Sequence, residues 1–167
     1  PLSPRAGNDL DGDGLSDILV GGGPPGPAVF FGASLDGDVD YDDADVIFER
    51  DGADFGQGIA HALGDLNGDG FDEVGVAIDN ADALLWVVEG REVWPAVVDV
   101  VTDSGSHEIS PPLDNPMFAQ SAIGLDLTGD GIGDLVVGEA EFGNDDTGAV
   151  YYFEGPISGD LSAADAD

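Results

Sequence analysis

The sequence predicts an all-β fold built from three copies of one short unit. The chain contains 27 Gly and 10 Pro in 167 residues, a composition that disfavours long helices. Apolar residues occur in short runs bounded by Gly, Asp and Pro, with no 3.6-residue period sustained over three turns. An acidic loop motif begins at Asp9, Asp65 and Asp126, so it recurs after 56 and then 61 residues.

Each copy of the motif is followed by two predicted strands. The first strand is the apolar run that closes the motif in DLDGDGLSDILVG, DLNGDGFDEVGV and DLTGDGIGDLVVG. The second is aromatic and ends in Gly: PAVFFG (27–32), ALLWVVEG (83–90) and GAVYYFEG (148–155). A further strand precedes the second and third loops, in FGQGIAHALG (55–64) and FAQSAIGL (118–125). We expect the fourth strand of the unit at 45–49 in the first copy and at 97–102 in the second.

Four short strands in 56–61 residues match the size of one β-propeller blade. The sequence therefore predicts one domain over 1–167, an incomplete propeller of about three four-stranded antiparallel blades, with repeats at about 1–54, 55–117 and 118–167. The first inner strand is expected to be missing, and so is the last strand of the third blade. Propellers have four to eight blades. Either further blades of the same protein complete the ring, or copies of the chain associate.

The charge balance excludes several classes of partner. The chain has 36 acidic and 3 basic residues, a formal net charge of −33. Nucleic acid is excluded as a partner because phosphate contacts need Lys and Arg. Membrane insertion is not expected, since no apolar run approaches the roughly 18 residues of a spanning helix. The absence of Cys excludes disulfides and thiol chemistry.

The repeated loops have the residue pattern of a calcium site. Positions 1, 3, 5 and 9 of each loop carry side-chain oxygens, and position 6 is Gly, where the chain turns sharply. Calcium takes six to eight oxygen ligands, and position 7 is expected to add its backbone carbonyl. The candidate ligands are Asp9, Asp11, Asp13, Leu15 and Asp17; Asp65, Asn67, Asp69, Phe71 and Glu73; and Asp126, Thr128, Asp130, Ile132 and Asp134. About three structural Ca²⁺ ions are predicted, which would change the formal charge from −33 to −27.

The loops are not EF-hands. An EF-hand places an acidic ligand at position 12, which here is Val20, Val76 or Val137. The last acidic residue comes three positions earlier, and a strand follows directly. The alternating acids at 36–42 lack Gly at the sixth position and are interpreted as a solvated connection.

These residues resemble the FG-GAP repeat, which builds the propeller of integrin alpha chains and related proteins. FGQGIAHALGDLNGDGFDEVGVA (55–77) is the stretch most similar to it, and FAQSAIGLDLTGDGIGDLVVG (118–138) departs at Ala119, where the family usually has Gly. The resemblance implies a propeller with calcium in loops on one face and a ligand site on the opposite face or rim. Glu73 and Thr128 depart from the commonest ligands, which implies weaker second and third sites.

Catalytic motifs are not found, so we expect no enzyme. His61 lies on a predicted strand and is interpreted as packed or pore-facing, and His107 is placed in a loop at 102–112 without a nucleophile elbow or zinc motif. Trp86 is expected in the core. Trp94, with Arg91, is a candidate contact for a sugar or a protein partner.

The sequence therefore predicts a calcium-stabilised, extracellular or cell-surface propeller segment that acts in protein binding or cell adhesion. Two alternatives remain open, a carbohydrate-binding propeller and an architectural spacer of a large surface protein. The ligand itself is not identified, because specificity depends on variable loops.

Overall fold

A computed structural model describes residues 3–22, 25–55, 58–78, 84–111, 118–140 and 147–167. The strands in chain order are β1 (Ser3–Asn8), β2 (Asp17–Gly21), β3 (Ala28–Phe30), β4 (Val46–Arg50), β5 (Ala53–Asp54), β6 (Gly58–Gly64), β7 (Glu73–Ile78), β8 (Leu85–Val88), β9 (Val97–Asp99), β10 (Ser106–Ser110), β11 (Phe118–Leu125), β12 (Asp134–Glu139), β13 (Ala149–Phe153) and β14 (Leu161–Ser162). Three short 3₁₀ helices span Gly32–Ser34, Tyr41–Asp43 and Ala163–Asp165. In this part of the chain, no helix is long and apolar enough to cross a membrane.

The described strands form three sheets, each based on one repeat. Sheet 1 has the order β1-β2-β3-β4-β5, with β9 also paired to β4. Sheet 2 has the order β14-β10-β8-β7-β6, and sheet 3 the order β11-β12-β13. The all-β prediction is confirmed, and this arrangement is consistent with propeller-like blades. The predicted strands after the loops and the aromatic strands are confirmed as β2, β7 and β12 and as β3, β8 and β13.

Two predictions about strands are wrong. The first inner strand is present, because β1 pairs antiparallel with β2 from Ser3↔Gly21 onwards. The segment at 97–102 is not the fourth strand of its repeat, since β9 pairs in parallel with β4 of the preceding sheet. The fourth strand is β10, which pairs with β8 and includes His107, so that this residue does not lie in a loop.

The sheets are therefore not purely antiparallel and not all four-stranded. β14 repeats the behaviour of β9, since it pairs in parallel with β10 of sheet 2. Each of these short strands is a segment of one repeat that extends the outer edge of the sheet before it. A cross-over of this kind ties neighbouring repeats together through backbone hydrogen bonds.

The core lies between the sheets. One cluster joins sheets 1 and 2 and includes Leu19, Val29 and Phe48 on one side and Val76 and Trp86 on the other. The second cluster, between sheets 2 and 3, includes Leu85 and Val87 opposite Leu135, Val137 and Phe153. A strand of the middle sheet is thus apolar on both faces, as the fully buried pattern of β7 shows. This packing fixes the three acidic loops side by side at one end of the sheets.

Candidate metal centre

Each acidic loop is folded around the carboxylate at its first position. In the first loop, Asp9 accepts hydrogen bonds from the amides of Gly12 (2.9 Å) and Gly14 (3.0 Å). Asp65 and Asp126 accept the corresponding bonds in the second and third loops, from Gly68 and Gly70 and from Gly129 and Gly131. The first side chain of the motif therefore organises the loop and leaves further lone pairs for an ion.

Glycine is needed at two positions of every loop. Position 6 was recognised in the sequence, but position 4 is also Gly in each copy. Both have positive φ: 76° and 86° in the first loop, 81° and 92° in the second, and 80° and 93° in the third. An L-residue adopts this region at a cost. Position 4 also meets the next loop, because a Cβ on Gly12 would lie 2.7 Å from Cε1 of Phe71.

The carboxylate at position 9 clamps the loop to the third strand of its own sheet. Asp17 accepts from the amide of Leu10 (2.7 Å) and from that of Gly32 (2.8 Å), just after β3. Asp134 does the same with Leu127 (2.7 Å) and Gly155 (2.9 Å). Glu73 accepts from Leu66 and, at 3.4 Å, from Gly90. All three acids are 1% exposed.

The glycine that ends each aromatic strand is part of this clamp. A Cβ at Gly32, Gly90 or Gly155 would lie 2.4–2.6 Å from a backbone carbonyl oxygen of the residue before the position-9 acid. The signal was visible in the sequence as an aromatic strand that always ends in Gly. The structural reason for this glycine is the close approach of the loop backbone, which is a contact between residues that are distant in sequence.

The pKa of the position-9 acid is shifted in different directions in the three loops. Burial raises the pKa of Glu73 to about 8, and the neighbouring carboxylates Asp69 and Asp65 add to the rise. Burial also raises the pKa of Asp17 above its usual value. The pKa of Asp134 is lowered, chiefly by the hydrogen bond from the amide of Gly155. The first two loops thus hold carboxylates that a nearby cation would stabilise.

The first loop brings three carboxylates together. One oxygen each from Asp9, Asp11 and Asp17 lies within 4.8 Å of the others. Two oxygens that are both 2.3–2.6 Å from one calcium ion are at most about 5.2 Å apart, so this spacing fits a shared ion. Asp13 is not part of this group, and its Oδ1 accepts from the amide of Leu15.

The other two loops have fewer carboxylates at the corresponding positions. In the second, the Asn67 side-chain amide donates to Asp69 (3.1 Å) and Glu73 (3.4 Å), so these groups converge. In the third, the position-3 residue is Thr128, whose backbone amide donates to Asp134 (3.1 Å). Asp69 and Asp130 also accept from the amides of Phe71 and Ile132. The candidate metal-ligand atoms of all three loops are oxygens, which are the ligands that a hard cation prefers.

The loops also contact one another in a repeated manner. The position-1 carbonyl oxygens of Asp9 and Asp65 accept from Asp72 (3.1 Å) and Gly133 (2.8 Å), which are the position-8 residues of the following loops. The position-2 carbonyls of Leu10 and Leu66 accept from Arg91 (3.0 Å) and Ile157 (2.8 Å). One loop therefore supports the next.

Trp94 and Arg91, the candidate ligand contacts, also make contacts within the chain. Trp94 packs edge-on against Phe48, with 6.4 Å between ring centroids, and its Nε1 donates to Leu10. Arg91 lies over the Trp94 ring and pairs with Asp103 at 2.9 Å. These contacts fix the positions of both side chains, which remain partly exposed. Trp86 (2% exposed) and His61 (1% exposed) are buried, as predicted.

Comparison with known families agrees with the repeat. A model of the FG-GAP repeat matches residues 118–153. This range runs from the first residue of β11 to the last residue of β13, so it covers the whole of sheet 3 with its acidic loop. No curated protein matches the chain.

Proposed function

We propose that this chain, which contains an FG-GAP repeat, is a calcium-stabilised segment of a β-propeller that serves as an extracellular binding module. The observation that supports calcium best is the approach of Asp9, Asp11 and Asp17 within 4.8 Å. A chain with 36 acidic and 3 basic residues has few basic side chains to balance such a cluster. A divalent ion supplies that balance.

The role of the ion is structural. Asp17 already connects the loop to the end of β3, so an ion bound to it would hold the strand β2, the loop and β3 as one unit. The first loop is expected to bind most tightly, because Asn67 and Thr128 replace a carboxylate in the other two. Sites of this kind fill at the millimolar calcium of extracellular fluids.

Calcium binding is tested by thermal unfolding and calorimetry. We expect the Tm of the chain to rise on addition of calcium, to rise less with magnesium and to fall in chelator, with about three ions bound per chain. The triple variant Asp9→Asn, Asp65→Asn, Asp126→Asn should lose most of the calcium-dependent gain in Tm, because each substitution removes a ligand charge.

The chain supplies its own matched control for this experiment. Asp36→Asn, Asp38→Asn, Asp42→Asn removes the same charge from exposed residues outside the loops and should keep the calcium response. If the wild-type Tm is indifferent to calcium, or if both triple variants lose the response equally, the calcium sites do not exist.

The binding role is supported by the repeat family and the all-β fold, and it remains separate from the calcium claim. We favour a protein ligand, bound in adhesion on a surface away from the loops. Trp94, the residue that favoured a glycan, packs edge-on against Phe48, so a carbohydrate ligand is our second candidate. Pull-down with the calcium-loaded chain tests the proposal: repeated recovery of one partner supports it, and no partner across several extracts favours an architectural spacer. We expect no catalysis by the chain itself.

A further inference from the structure

The first and second acidic loops are joined by two hydrogen bonds between the same two residues. The amide of Asp72 donates to the carbonyl oxygen of Asp9 (3.1 Å), and the amide of Asp9 donates to Oδ2 of the Asp72 side chain (2.9 Å). Both residues are half-buried. The two backbone hydrogen-bonding groups of Asp9 are therefore both used by one residue of the next loop.

Asp72 lies where it can affect both candidate metal sites. It is position 8 of its loop and stands between Phe71 and Glu73, two of the candidate ligands of the second loop. Asp9 is position 1 of the first loop, and its carboxylate belongs to the group of three that converge within 4.8 Å. The link thus connects a ligand of one site to a residue that is flanked by two ligands of the other.

Position 8 differs between the three loops, so the junction of the first and second loops (the first junction) differs from that of the second and third (the second junction). The residues at this position are Ser16, Asp72 and Gly133. Gly133 donates its amide to the carbonyl of Asp65 (2.8 Å), which repeats the backbone half of the link. Glycine has no side chain to accept the amide of Asp65, so it cannot supply the other half.

The remaining contacts between loops are present at both junctions. The side chain at position 7 packs over the position-4 glycine of the preceding loop. A Cβ at Gly12 would lie 2.7 Å from Phe71 of the second loop, and a Cβ at Gly68 would lie 3.4 Å from Ile132 of the third. The position-2 carbonyl also accepts an amide from the next sheet at both junctions. The hydrogen bond to the Asp72 side chain is thus an addition at the first junction.

We propose that Asp72 couples the first two calcium sites, so that calcium bound at one loop raises the affinity of the other. This inference rests on the proposed calcium sites and adds a relation between them. Asp72 is a positioning residue, because it acts through Asp9 and through its own chain neighbours and is not itself a candidate ligand. The second junction should be coupled more weakly, through packing and backbone contacts.

The expected sign of the coupling follows from the ordering of the ligands. Ligands must be fixed in place to surround an ion, and this ordering costs conformational entropy. Once Asp9 is fixed as a ligand, its amide and carbonyl also fix Asp72, and with it the neighbouring ligands Phe71 and Glu73. Part of the ordering cost of the second loop is then already met, which gives positive cooperativity.

Charge acts in the opposite direction, and its effect can be separated. Ions of like charge repel, so a filled loop attracts less calcium to its neighbour. Asp72→Ala and Asp72→Asn change the charge of the chain by the same amount. Asn keeps a side-chain oxygen that can accept the amide of Asp9, and Ala does not. The difference between these two variants therefore isolates the hydrogen bond.

Isothermal titration calorimetry with calcium measures the coupling at each junction. A loop is disabled by changing the aspartates at its positions 1 and 5 to Asn; these are Asp9 and Asp13, Asp65 and Asp69, and Asp126 and Asp130. The affinity of each loop is measured with the other two disabled, and the joint affinity of a pair with the remaining loop disabled. The joint binding constant, divided by the product of the two single constants, gives the coupling factor.

The coupling factor of the first junction should be about 5 or more, the lower end of typical couplings, and that of the second junction should be smaller. Asp72→Ala should reduce the first factor to the level of the second, whereas Asp72→Asn should keep most of it. Asp42→Ala, at an exposed position outside the loops, is the control and should leave both factors unchanged. Circular dichroism in calcium verifies that the variants fold.

The possible outcomes separate the coupling from the calcium sites themselves. If no loop binds calcium, the proposed function is wrong and the coupling with it. If calcium binds but the first factor does not exceed the second, or survives Asp72→Ala, the sites exist and the coupling through Asp72 is wrong. If Asp72→Asn loses the factor as fully as Asp72→Ala, the hydrogen bond is not the coupling contact. The comparison of the two junctions needs no variant at position 72, so it tests the proposal even if Asp72→Ala does not fold.

Discussion

Glu73 differs from the other two position-9 acids by one methylene group. The aspartates at 17 and 134 reach the amide after the third strand at 2.8 Å and 2.9 Å, whereas the corresponding distance from Glu73 to Gly90 is 3.4 Å. The longer side chain is as buried as the shorter ones, but it has a weaker hydrogen bond to stabilise its charge. Its pKa is accordingly raised to about 8, mainly by burial.

This pKa gives the calcium-free protein a distinct pH dependence. A carboxyl group with a pKa of about 8 when folded, against 4.5 as its ordinary value, binds more protons in the folded state between these limits. The contribution of Glu73 to the free energy of unfolding is therefore fully present below pH 4.5 and is lost as the pH rises towards 8. The slope is at most about 1.4 kcal/mol per pH unit, the value for one proton.

Glu73→Gln should remove that slope in chelator, because the amide does not titrate. Denaturant unfolding from pH 5 to pH 8 measures the difference between variant and wild type, and Glu92→Gln, at an exposed position, is the charge-matched control. Parallel pH curves for all three proteins would contradict the prediction.

At the level of elements, position 2 of the loop motif shows that the neighbouring sheet determines how much one residue contributes to stability. The motif has Leu at this position in all three copies: Leu10, Leu66 and Leu127. The first two are 0% exposed because the following sheet covers them, and Leu127 is 55% exposed. Identical residues in identical loops therefore contribute differently to stability.

Leu66→Ala and Leu127→Ala form a matched pair for this effect. The first variant should lose about 2–5 kcal/mol of unfolding free energy, since it leaves a cavity between sheets 2 and 3. The second should change it by less than about 0.5 kcal/mol in dilute solution, where Leu127 is not covered. Urea unfolding in calcium measures both. Similar losses in both variants would show that burial by the neighbouring sheet does not determine the cost.

The strands and loops also show which features can be predicted from the sequence and which cannot. Strands next to a loop motif were predictable, because the motif fixes their start and the apolar run their extent. The segment at 97–102 was assigned to the wrong sheet, since β9 is as apolar as a fourth strand and its partner β4 lies fifty residues earlier. The candidate ligand positions were proposed from the spacing of side-chain oxygens. The hydrogen bond between Asp17 and Gly32, in contrast, joins residues that are distant in sequence, and no local pattern contains it.

At the scale of the whole molecule, the acidic surface opposes the packing of the three sheets. A formal charge of −33 is distributed over a chain of 167 residues, and self-repulsion at this density destabilises a compact state. The inter-sheet clusters and the loop hydrogen bonds act against that repulsion. Three calcium ions would neutralise only six of the charges, so the folded state should remain sensitive to ionic strength even when the loops are filled.

Salt should therefore stabilise the chain in two separable ways. In chelator, the Tm should rise with sodium chloride as the Debye length falls from about 10 Å at 0.1 M to about 3 Å at 1 M. In saturating calcium the rise should be smaller, because the most crowded carboxylates are already neutralised. Choline chloride distinguishes screening from ion binding, since the bulky cation screens charge but does not fit among the oxygens of a loop. Equal effects of the two salts on the Tm indicate screening alone, whereas a larger effect of sodium chloride indicates that sodium ions occupy the loops. A Tm that does not change with either salt in chelator would show that charge repulsion does not limit the stability of this fold.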